Sequence, residues 1–279
     1  MKTIAHISDL HFSTEDSTIA EALVKDLQKF NPAVVINSGD FTQRARSSQF
    51  KAAASYLKRL PKPQINVPGN HDIPLFDLFR RFFSPLTRFR KFISDERFPR
   101  YMDDNLIVLG INTARSLTWK SGRISKEQVD EMEQILLNLP QSHFKIVVTH
   151  HPFIPPPGEE NIGVKLVGRA KKALAVIERS NVDLLLAGHL HEGYTGDIRT
   201  FYPSSKRSIV VAQAGTAISK RVRHDPNGYN LIRIGEDIID IEVRRWLATK
   251  SVFSKAERIV FTKKDNKWVS ETAKTGVVL

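Results

Sequence analysis

The segment Ile4-Ala5-His6-Ile7-Ser8-Asp9-Leu10-His11 begins as a short, mainly apolar run and ends on two residue types that bind metals. A short apolar run followed by a polar break is typical of a buried β-strand. The same arrangement recurs along the chain: residues 33–37 lead to Gly39-Asp40, residues 64–67 to Gly69-Asn70-His71, residues 145–149 to His150, and residues 184–187 to Gly188-His189. Each of these predicted strands therefore ends at a potential metal ligand.

Helical patterns separate these strands. Apolar residues recur at helical spacing over residues 18–29, 47–59, 125–137 and 169–180, and Ser125 with Gln128 predicts a capping box. Strands alternating with helices predict an α/β (α+β) fold. Because ligands in such folds gather beyond the carboxyl ends of strands, we expect the polar residues at the strand ends to lie together.

Two pairs of candidate ligands are separated by a single residue. Asp9 and His11 form one pair, and His189 and His191 form the other. In extended backbone this spacing places both side chains on the same face, where they can hold a common cation. One such pair is weak evidence, because Asp and His at strand ends are commonly caps or surface residues. The whole set of strand ends favours a metal centre.

Composition limits the chemistry and the partners. The chain of 279 residues has 42 Lys plus Arg against 30 Asp plus Glu, a formal charge of +12, which favours phosphorylated substrates, nucleic acid or anionic membrane surfaces. The absence of cysteine excludes disulfides, a thiolate nucleophile and zinc-thiolate sites. Any metal must therefore be bound by nitrogen and oxygen ligands.

The amino-terminal residues enter a strand without the pattern of a signal peptide, so we expect a cytoplasmic location. No apolar run reaches the roughly 18 residues of a membrane-spanning helix, and any membrane or lipid contact is expected to be peripheral. His6 is predicted to be buried in a strand, and His143 and His224 to lie on the surface. The oligomeric state stays open.

The ordered motifs Asp-x-His, Gly-Asp, Gly-Asn-His-Asp, His-His-Pro and Gly-His-x-His resemble those of the calcineurin-like metallophosphoesterase superfamily. The resemblance spans residues 9–191, about two thirds of the chain. It implies two packed mixed β-sheets flanked by helices, a four-layer αββα sandwich. We expect a catalytic domain over residues 1–247 and a peripheral carboxyl-terminal hairpin or tail over residues 248–279.

Apolar and alternating runs continue beyond the last histidines. Those at 208–213, 230–234 and 238–246 are predicted to complete a second sheet. Residues 251–263 and 268–278 are predicted to form the peripheral hairpin. The proline-rich residues 152–158 follow the His-His pair and predict a rigid loop beside the site.

The resemblance also implies a ligand set. It divides the ligands between two divalent cations, with Asp9, His11 and His191 at the first, Asn70, His150 and His189 at the second, and Asp40 bridging them. Mn²⁺ and Fe²⁺/Fe³⁺ are the expected cations, and Zn²⁺ also suits the donors. Two such cations can clamp a phosphoryl group and lower the pKa of a shared water, so a bridging hydroxide is the expected nucleophile.

His71 is left over from the ligands and corresponds to the family's catalytic histidine, which stabilises the transition state or protonates the leaving oxygen. The alternative is a histidine that only supports the ligands by hydrogen bonding. Some branches carry an acidic residue where this chain has Gln43, and we consider Asp72 as the residue that orients His71.

His151 is expected to support the ligands rather than bind metal. Glycines 39, 69 and 188 are predicted at tight turns or close approaches.

Residues 75–100 interleave Phe with Arg and Lys, and the apolar residues fall at the spacing of an amphipathic helix. This segment could cap the metals, with Arg80 and Arg81 on a substrate phosphate and the aromatic rings on a base or an acyl chain. Alternatively, the Phe face packs on the core and the arginines are solvated. Asn112 and Arg115, after the predicted strand 106–111, are further candidate substrate contacts.

Within the superfamily, the Gly-Asn-His-Asp, Asn-Thr-Ala-Arg and Thr-His-His-Pro-Phe stretches are most similar to the bacterial branch of cyclic nucleotide phosphodiesterases. The expected activity is therefore phosphodiester hydrolysis of a nucleotide-type substrate. One alternative is a UDP-2,3-diacylglucosamine-type lipid pyrophosphohydrolase, although that branch commonly has Arg in place of His71. Others are a nuclease, which usually carries an added DNA-binding domain, and an inactive scaffold of the same fold.

Overall fold

The computed structural model describes residues 1–156, 166–222 and 225–271. Its strands are β1 Lys2–Ile7, β2 Val34–Asn37, β3 Gln64–Asn66, β4 Arg100–Met102, β5 Leu106–Gly110, β6 Phe144–Val148, β7 Leu184–Ala187, β8 Tyr194–Asp197, β9 Val210–Gln213, β10 Gly228–Ile234, β11 Ile238–Leu247, β12 Val252–Lys264 and β13 Lys267–Glu271. Its helices are α1 Ser17–Phe30, α2 Ser47–Leu57, α3 Leu78–Phe83, α4 Thr87–Phe92, α5 Lys126–Leu137 and α6 Ala170–Arg179.

Two mixed sheets form the centre of the molecule. The first has the strand order β13-β12-β11-β10-β1-β2-β3, and the second has the order β4-β5-β6-β7-β9-β8. Strands β1, β2 and β3 run parallel to one another, and so do β5, β6, β7 and β9. Parallel neighbours bring their carboxyl ends to one edge of each sheet, which is where the predicted ligands follow.

The side chains of each strand point alternately to the two faces of its sheet, and this alternation produces the four layers. In β2, Val34 and Ile36 enter the apolar cluster between the sheets, whereas Val35 faces the cluster formed with α1 and α2. In β6, Ile146 enters the same central cluster, whereas Val147 packs with α5 and α6. Side chains of successive strand residues point to opposite faces, so each sheet buries both sides. The predicted αββα sandwich is confirmed.

The four predicted long helices are present within two residues at each end. Asp16 caps α1 by accepting hydrogen bonds from the backbone N–H groups of Thr18 and Ile19. Ser125 caps α5, and the predicted capping box with Gln128 is confirmed. No helix in the described part of the chain is both long and apolar enough to cross a bilayer.

The strands after the histidines are arranged differently from the prediction. Only β9 joins the second sheet, whereas β10 and β11 belong to the first, where β10 pairs antiparallel with β1. The expectation that all three complete a second sheet was wrong. Alternating patterns identify strands but carry no information on their partners.

The carboxyl-terminal hairpin is built into the first sheet. β12 pairs with β11 along its length, and Phe261 and Trp268 are buried in the central apolar cluster. The predicted boundary after residue 247 falls at the turn between β11 and β12, and the division at this residue stays a prediction. The described residues do not include three parts of these predictions: 272–279 at the carboxyl-terminal end, 157 and 158 of the proline-rich loop, and His224.

The aromatic and basic segment does not form one amphipathic helix. It forms α3 and α4, separated at Ser84-Pro85, because a residue before proline is disfavoured in the helical region. In α4 the prediction of a buried aromatic face holds, with Phe89 in the core. In α3 the orientation is reversed, since Arg81 is buried while Phe79 is exposed. The hydrophobic pattern of the sequence alone predicts buried phenylalanines and solvated arginines in this segment.

Candidate metal centre

The predicted ligands follow the strand ends in an unusual backbone conformation. Left-handed φ angles occur at Asp9 (55°), His11 (46°), Asp40 (56°), His189 (75°) and His191 (63°). The extended-backbone reason for pairing Asp9 with His11, and His189 with His191, was therefore wrong. These residues turn sharply after β1, β2 and β7, and the turns direct their side chains towards one another. Non-glycine residues in this region are strained, and such strain is concentrated at functional sites.

Asp9, His11 and His191 form the first cluster, as predicted. The Asp9 Oδ1 atom lies 3.4 Å from His11 Nε2 and 3.6 Å from His191 Nε2. The three residues offer ligand atoms that all lie within 4.8 Å of one another, and all three are buried. A single cation can therefore contact one atom from each residue.

The tautomer of His191 is set by Thr216. His191 Nδ1 lies 2.6 Å from Thr216 Oγ1, and that hydroxyl donates its own proton to the carbonyl of Arg221 at 3.0 Å. The hydroxyl must then accept from His191, so Nδ1 carries the proton. The lone pair of Nε2 is left facing Asp9, which is the arrangement that a metal-binding imidazole requires.

The second cluster centres on His150. Its Nε2 atom lies 3.2 Å from Asn70 Oδ1, 3.3 Å from His189 Nδ1 and 3.3 Å from Asp40 Oδ2. Its Nδ1 atom donates to the Ser38 carbonyl at 2.8 Å, which leaves Nε2 as the ligand atom of the neutral ring. The second predicted set therefore also converges.

Asp40 lies between the two clusters. Its Oδ2 atom is 3.7 Å from His11 Nε2 in the first cluster and 3.3 Å from His150 Nε2 in the second. Its Oδ1 atom accepts a hydrogen bond from the backbone N–H of His71 at 2.8 Å. One carboxylate thus faces both positions, as the bridging role requires.

Several buried atoms of the candidate ligands have no hydrogen-bond partner in the described part of the chain. These are Asp9 Oδ1, Asp40 Oδ2 and both ring nitrogens of His11. Leaving buried polar atoms unpaired is costly, and buried carboxylates are normally paired or bound to metal. Atoms that lack protein partners and converge in two adjacent groups fit two divalent cations with nitrogen and oxygen ligands.

The protonation of these groups follows the same geometry. Burial opposes a charge on His150, but the carboxylates of Asp40 and Asp9 outweigh it and raise the pKa of His150 to about 9. Burial and the charge of His150 lower the pKa of His189 to about 3. In the metal-free protein a proton on His150 compensates the carboxylates, and a cation would displace it.

His151 lies beside His150 and His189, but both of its ring nitrogens are engaged in hydrogen bonds. Its Nε2 atom donates to the Lys120 carbonyl at 3.1 Å, and its Nδ1 atom accepts from Thr113 Oγ1 at 2.8 Å. Neither nitrogen has a free lone pair. The supporting role expected for His151 stays a prediction that this arrangement favours.

His71 lies at the edge of the clusters and is half-buried. Its Nδ1 atom lies 2.9 Å from the Gln43 carbonyl, and its Nε2 atom lies 3.1 Å from a guanidinium nitrogen of Arg221. A carbonyl only accepts and a guanidinium only donates, so the ring is neutral with its proton on Nδ1. Burial lowers the pKa of His71, consistent with the neutral ring.

Asp72 does not orient His71, and that prediction was wrong. The Asp72 carboxylate accepts from the backbone N–H groups of Phe41, Thr42 and Gly69, at 3.2, 3.0 and 2.9 Å. It therefore ties the loop that carries Asp40 to the loop that carries Asn70. The backbone carbonyl of Gln43 orients His71 instead.

Arg221 is the site residue that the motifs did not identify. It donates to both His71 Nε2 and Gln43 Oε1, each at 3.1 Å. These three residues line a cavity of about 300 Å³. The rest of its lining comprises Arg44, Asn70, Ile73, Leu75, Trp119 and Lys120. Arg221 follows β9 outside every motif, and its carbonyl accepts a hydrogen bond from Thr216, which contacts the candidate ligand His191.

The predicted substrate-binding residues lie in three different environments. Arg80 is exposed and pairs with Asp77, and Arg81 is buried and donates to the carbonyls of Pro74 and Thr118. Asn112 and Arg115 line a separate cavity of about 350 Å³. Among the described residues, none of the four lines the cavity that contains His71. Their binding role stays a prediction.

Gly188 permits a close approach between two ligand loops. A Cβ atom there would lie 1.8 Å from Ser8 Oγ, the hydroxyl that donates to Asp9 Oδ2. We expect Gly188→Ala to destabilise the fold by roughly 1–3 kcal/mol and to weaken metal binding, because the buried Ser8 would have to shift and give up its hydrogen bond to Asp9. Thermal unfolding with and without added Mn²⁺ measures both effects.

Gly193→Ala is the matched control, because its Cβ would meet no described atom closer than 3.8 Å. We expect a change within about 0.5 kcal/mol for this variant. Equal losses in the two variants would contradict the steric explanation.

Comparison with known proteins agrees with the geometry. Residues 2–193 match the model of the calcineurin-like phosphoesterase family. A probable cyclic nucleotide phosphodiesterase of Synechococcus sp. is 24% identical over 205 residues, which are 69% of this chain and 74% of that protein.

A purple acid phosphatase from yellow lupin (Lupinus luteus) seeds has a similar fold, with a TM-score of 0.65 and 13% identity. That similarity covers 94% of this chain and 53% of the phosphatase, so the chain spans about half of its length. The family match covers more than half of the chain, and the chain therefore belongs to the calcineurin-like phosphoesterase family.

Proposed function

We propose that this protein is a dinuclear metal-dependent phosphodiesterase that hydrolyses a nucleotide-type substrate, cyclic or linear. The observation that carries the proposal is the convergence of two ligand clusters on Asp40, with buried oxygens that lack other partners. Nitrogen and carboxylate donors of this kind suit Mn²⁺ and iron, which we propose as the cations. The inactive scaffold is disfavoured because the predicted ligands are all present and converge.

When bound, the two cations supply Lewis-acid polarisation of phosphoryl oxygens and lower the pKa of water. The protein holds the ligands in position by hydrogen bonds: His150 is fixed by the Ser38 carbonyl and His191 by Thr216. Such supporting contacts set the ring tautomers and orientations. The preorganised site therefore needs little rearrangement at the moment of reaction.

Arg221 and His71 form the second part of the proposed mechanism. A substrate phosphate that enters the cavity competes with His71 Nε2 for the guanidinium of Arg221. Once Arg221 binds a phosphoryl oxygen, its charge is compensated and Nε2 is free to take up a proton from solvent water. His71 can then donate that proton to the leaving oxygen.

The lining of this cavity supports a nucleotide. Trp119 offers a ring on which a base can stack, and Lys120 and Arg44 add positive charge beside Arg221. Base stacking on aromatic rings and guanidinium binding of phosphate are common modes of nucleotide recognition. The Synechococcus relative, named as a probable cyclic nucleotide phosphodiesterase, supports the same substrate class.

Initial rates with excess Mn²⁺ test the proposal. The substrates are bis-p-nitrophenyl phosphate, p-nitrophenyl phosphate, and 2′,3′- and 3′,5′-cyclic AMP. We expect the diesters to be hydrolysed faster than the monoester, with activity lost after chelation and restored by Mn²⁺ or Fe²⁺. Preference for the monoester would contradict the diesterase assignment. Bound metal with no hydrolysis of any substrate would favour a lipid pyrophosphate substrate or the scaffold.

Arg221→Ala is expected to lower kcat/KM by about 10²-fold, because it removes a charge-assisted contact to the phosphoryl group. Arg221→Lys should recover only part of this loss, since a lysine cannot contact two oxygens in one plane. Lys171→Ala on the exposed face of α6 removes the same charge far from the site and should have little effect. Equal rates for Arg221→Ala and Lys171→Ala would exclude the contact.

A further inference from the structure

The short helix α3 and Phe76, two residues before it, expose an aromatic face to solvent. Its side chains are between 50% and 77% exposed and comprise Phe76, Leu78, Phe79, Phe82 and Phe83. Phe79 and Phe83 contact each other, with ring centroids 4.9 Å apart. Contiguous exposed apolar groups of this size are uncommon on proteins that do not bind a partner or a membrane. We define these residues as the aromatic face.

The orientation of α3 is held by a buried arginine. Arg81 is 2% exposed and donates to the Pro74 carbonyl at 3.0 Å and the Thr118 carbonyl at 2.7 Å. Its guanidinium also lies 4.3 Å from the centroid of the Trp119 ring. A buried arginine with these contacts cannot exchange places with the phenylalanines without losing them. The outward direction of the rings is therefore part of the fold.

The loop that receives Arg81 extends the apolar surface towards the site. Leu117 and Trp119 are 84% and 56% exposed. Trp119 also lines the cavity that contains His71 and Arg221. Trp119, which contacts Arg81 of α3, and Leu75, which precedes Phe76 in the chain, thus link the region of the aromatic face to this cavity.

The chain segment that carries the aromatic face is rich in positive charge. Residues 76–92 contain Arg80, Arg81, Arg88, Arg90 and Lys91, against Asp77 as the single acidic residue. Arg80, Arg90 and Lys91 are exposed, and Lys120 lies beside Trp119 on the extending loop. A contact between two copies through this face would bring like charges together, which disfavours a symmetric dimer. Exposed aromatic rings within a basic surface are typical of interfacial membrane binding.

We propose that the aromatic face inserts into the surface of an anionic lipid bilayer. The phenylalanines enter the boundary between head groups and acyl chains, and the surrounding arginines and lysines contact lipid phosphates. Docking in this orientation turns the cavity of His71 towards the bilayer. This interaction does not depend on the proposed function, because it requires neither bound metal nor hydrolysis.

Vesicle co-sedimentation of the full chain tests the proposal. The probes are vesicles of phosphatidylcholine alone and of phosphatidylcholine with phosphatidylglycerol in equal amounts, each at low and high salt. We expect binding to the anionic vesicles that weakens as salt rises, since ionic contacts are screened. Phe79→Ser with Phe83→Ser should reduce the partition coefficient at least about tenfold, because the inserted rings supply the apolar contribution.

Leu137→Ser is the matched control, since Leu137 is a large apolar residue of α5 that is 49% exposed away from the aromatic face. This variant should bind like the unaltered protein. Hydrolysis of bis-p-nitrophenyl phosphate and the unfolding temperature serve as folding controls for the double variant. An equal loss of binding in Leu137→Ser would overturn the proposal, because binding would then be nonspecific.

Tryptophan fluorescence provides a local readout. Trp119 is 56% exposed, whereas Trp268 is 3% exposed and Trp246 is partly buried against the core. Anionic vesicles should shift the emission to the blue, and Trp119→Phe should remove that shift.

Recovery of the unaltered protein in the supernatant after co-sedimentation with anionic vesicles would overturn the proposal. Concentration-dependent dimers abolished by the double serine variant, without vesicle binding, would assign the face to a second copy instead.

Discussion

Asp40→Asn is expected to lower kcat for diester hydrolysis by about three orders of magnitude, equivalent to roughly 4 kcal/mol of transition-state stabilisation. The amide keeps the shape of the side chain and can still accept from the His71 N–H at Oδ1. It removes the negative charge that faces both His11 and His150 at Oδ2. A neutral group at the shared position holds two cations much more weakly.

Metal analysis separates this effect from unfolding. We expect the unaltered protein to bind two equivalents of Mn²⁺ and to gain thermal stability from them, because a ligand that binds only the folded state stabilises it. Asp40→Asn should bind fewer equivalents and lose most of that gain. Asn37→Ser offers a comparison, because it removes a buried side chain that accepts from the Gly39 N–H beside Asp40 but does not remove a candidate ligand. Full activity of Asp40→Asn with two bound cations would contradict the bridging role.

His71→Ala is expected to lower kcat by about 10²–10⁴-fold for a substrate with a poor leaving group, such as a cyclic nucleotide. The loss should be much smaller for bis-p-nitrophenyl phosphate, because nitrophenolate leaves without a proton. This difference follows from the position of Nε2, which faces the cavity and is held by Arg221 rather than by a ligand carboxylate. A plot of rate against leaving-group pKa measures it directly.

The metal content should remain unchanged in His71→Ala. His71 lies close enough to His11 and Asp40 to share a cation with them, but both of its ring nitrogens already have hydrogen-bond partners. Loss of a cation from this variant would identify His71 as a ligand. Equal losses for good and poor leaving groups would instead indicate that His71 stabilises charge without transferring a proton.

The sequence alone determined the secondary-structure elements and the positions of the candidate ligands to a large extent. Short apolar runs that end on Asp9, Asp40, His150 and His189 predicted both the strands and the edge where these residues meet. This was predictable because strand and helix periods are local properties, and because parallel strands must bring their carboxyl ends together. The capping box at Ser125 is local in the same way.

The tertiary structure decided what depends on distant partners. The left-handed turns at the ligands are held by contacts between loops, as in the hydrogen bond from the backbone N–H of His189 to Asp9, 180 residues apart. Arg221 reaches His71 across 150 residues, so no motif could connect them. The reversed orientation of α3 follows from carbonyls that only Arg81 reaches. Sequence periodicity shows which side chains share a face of an element, but only packing determines whether that face turns to the core, the metals or the solvent.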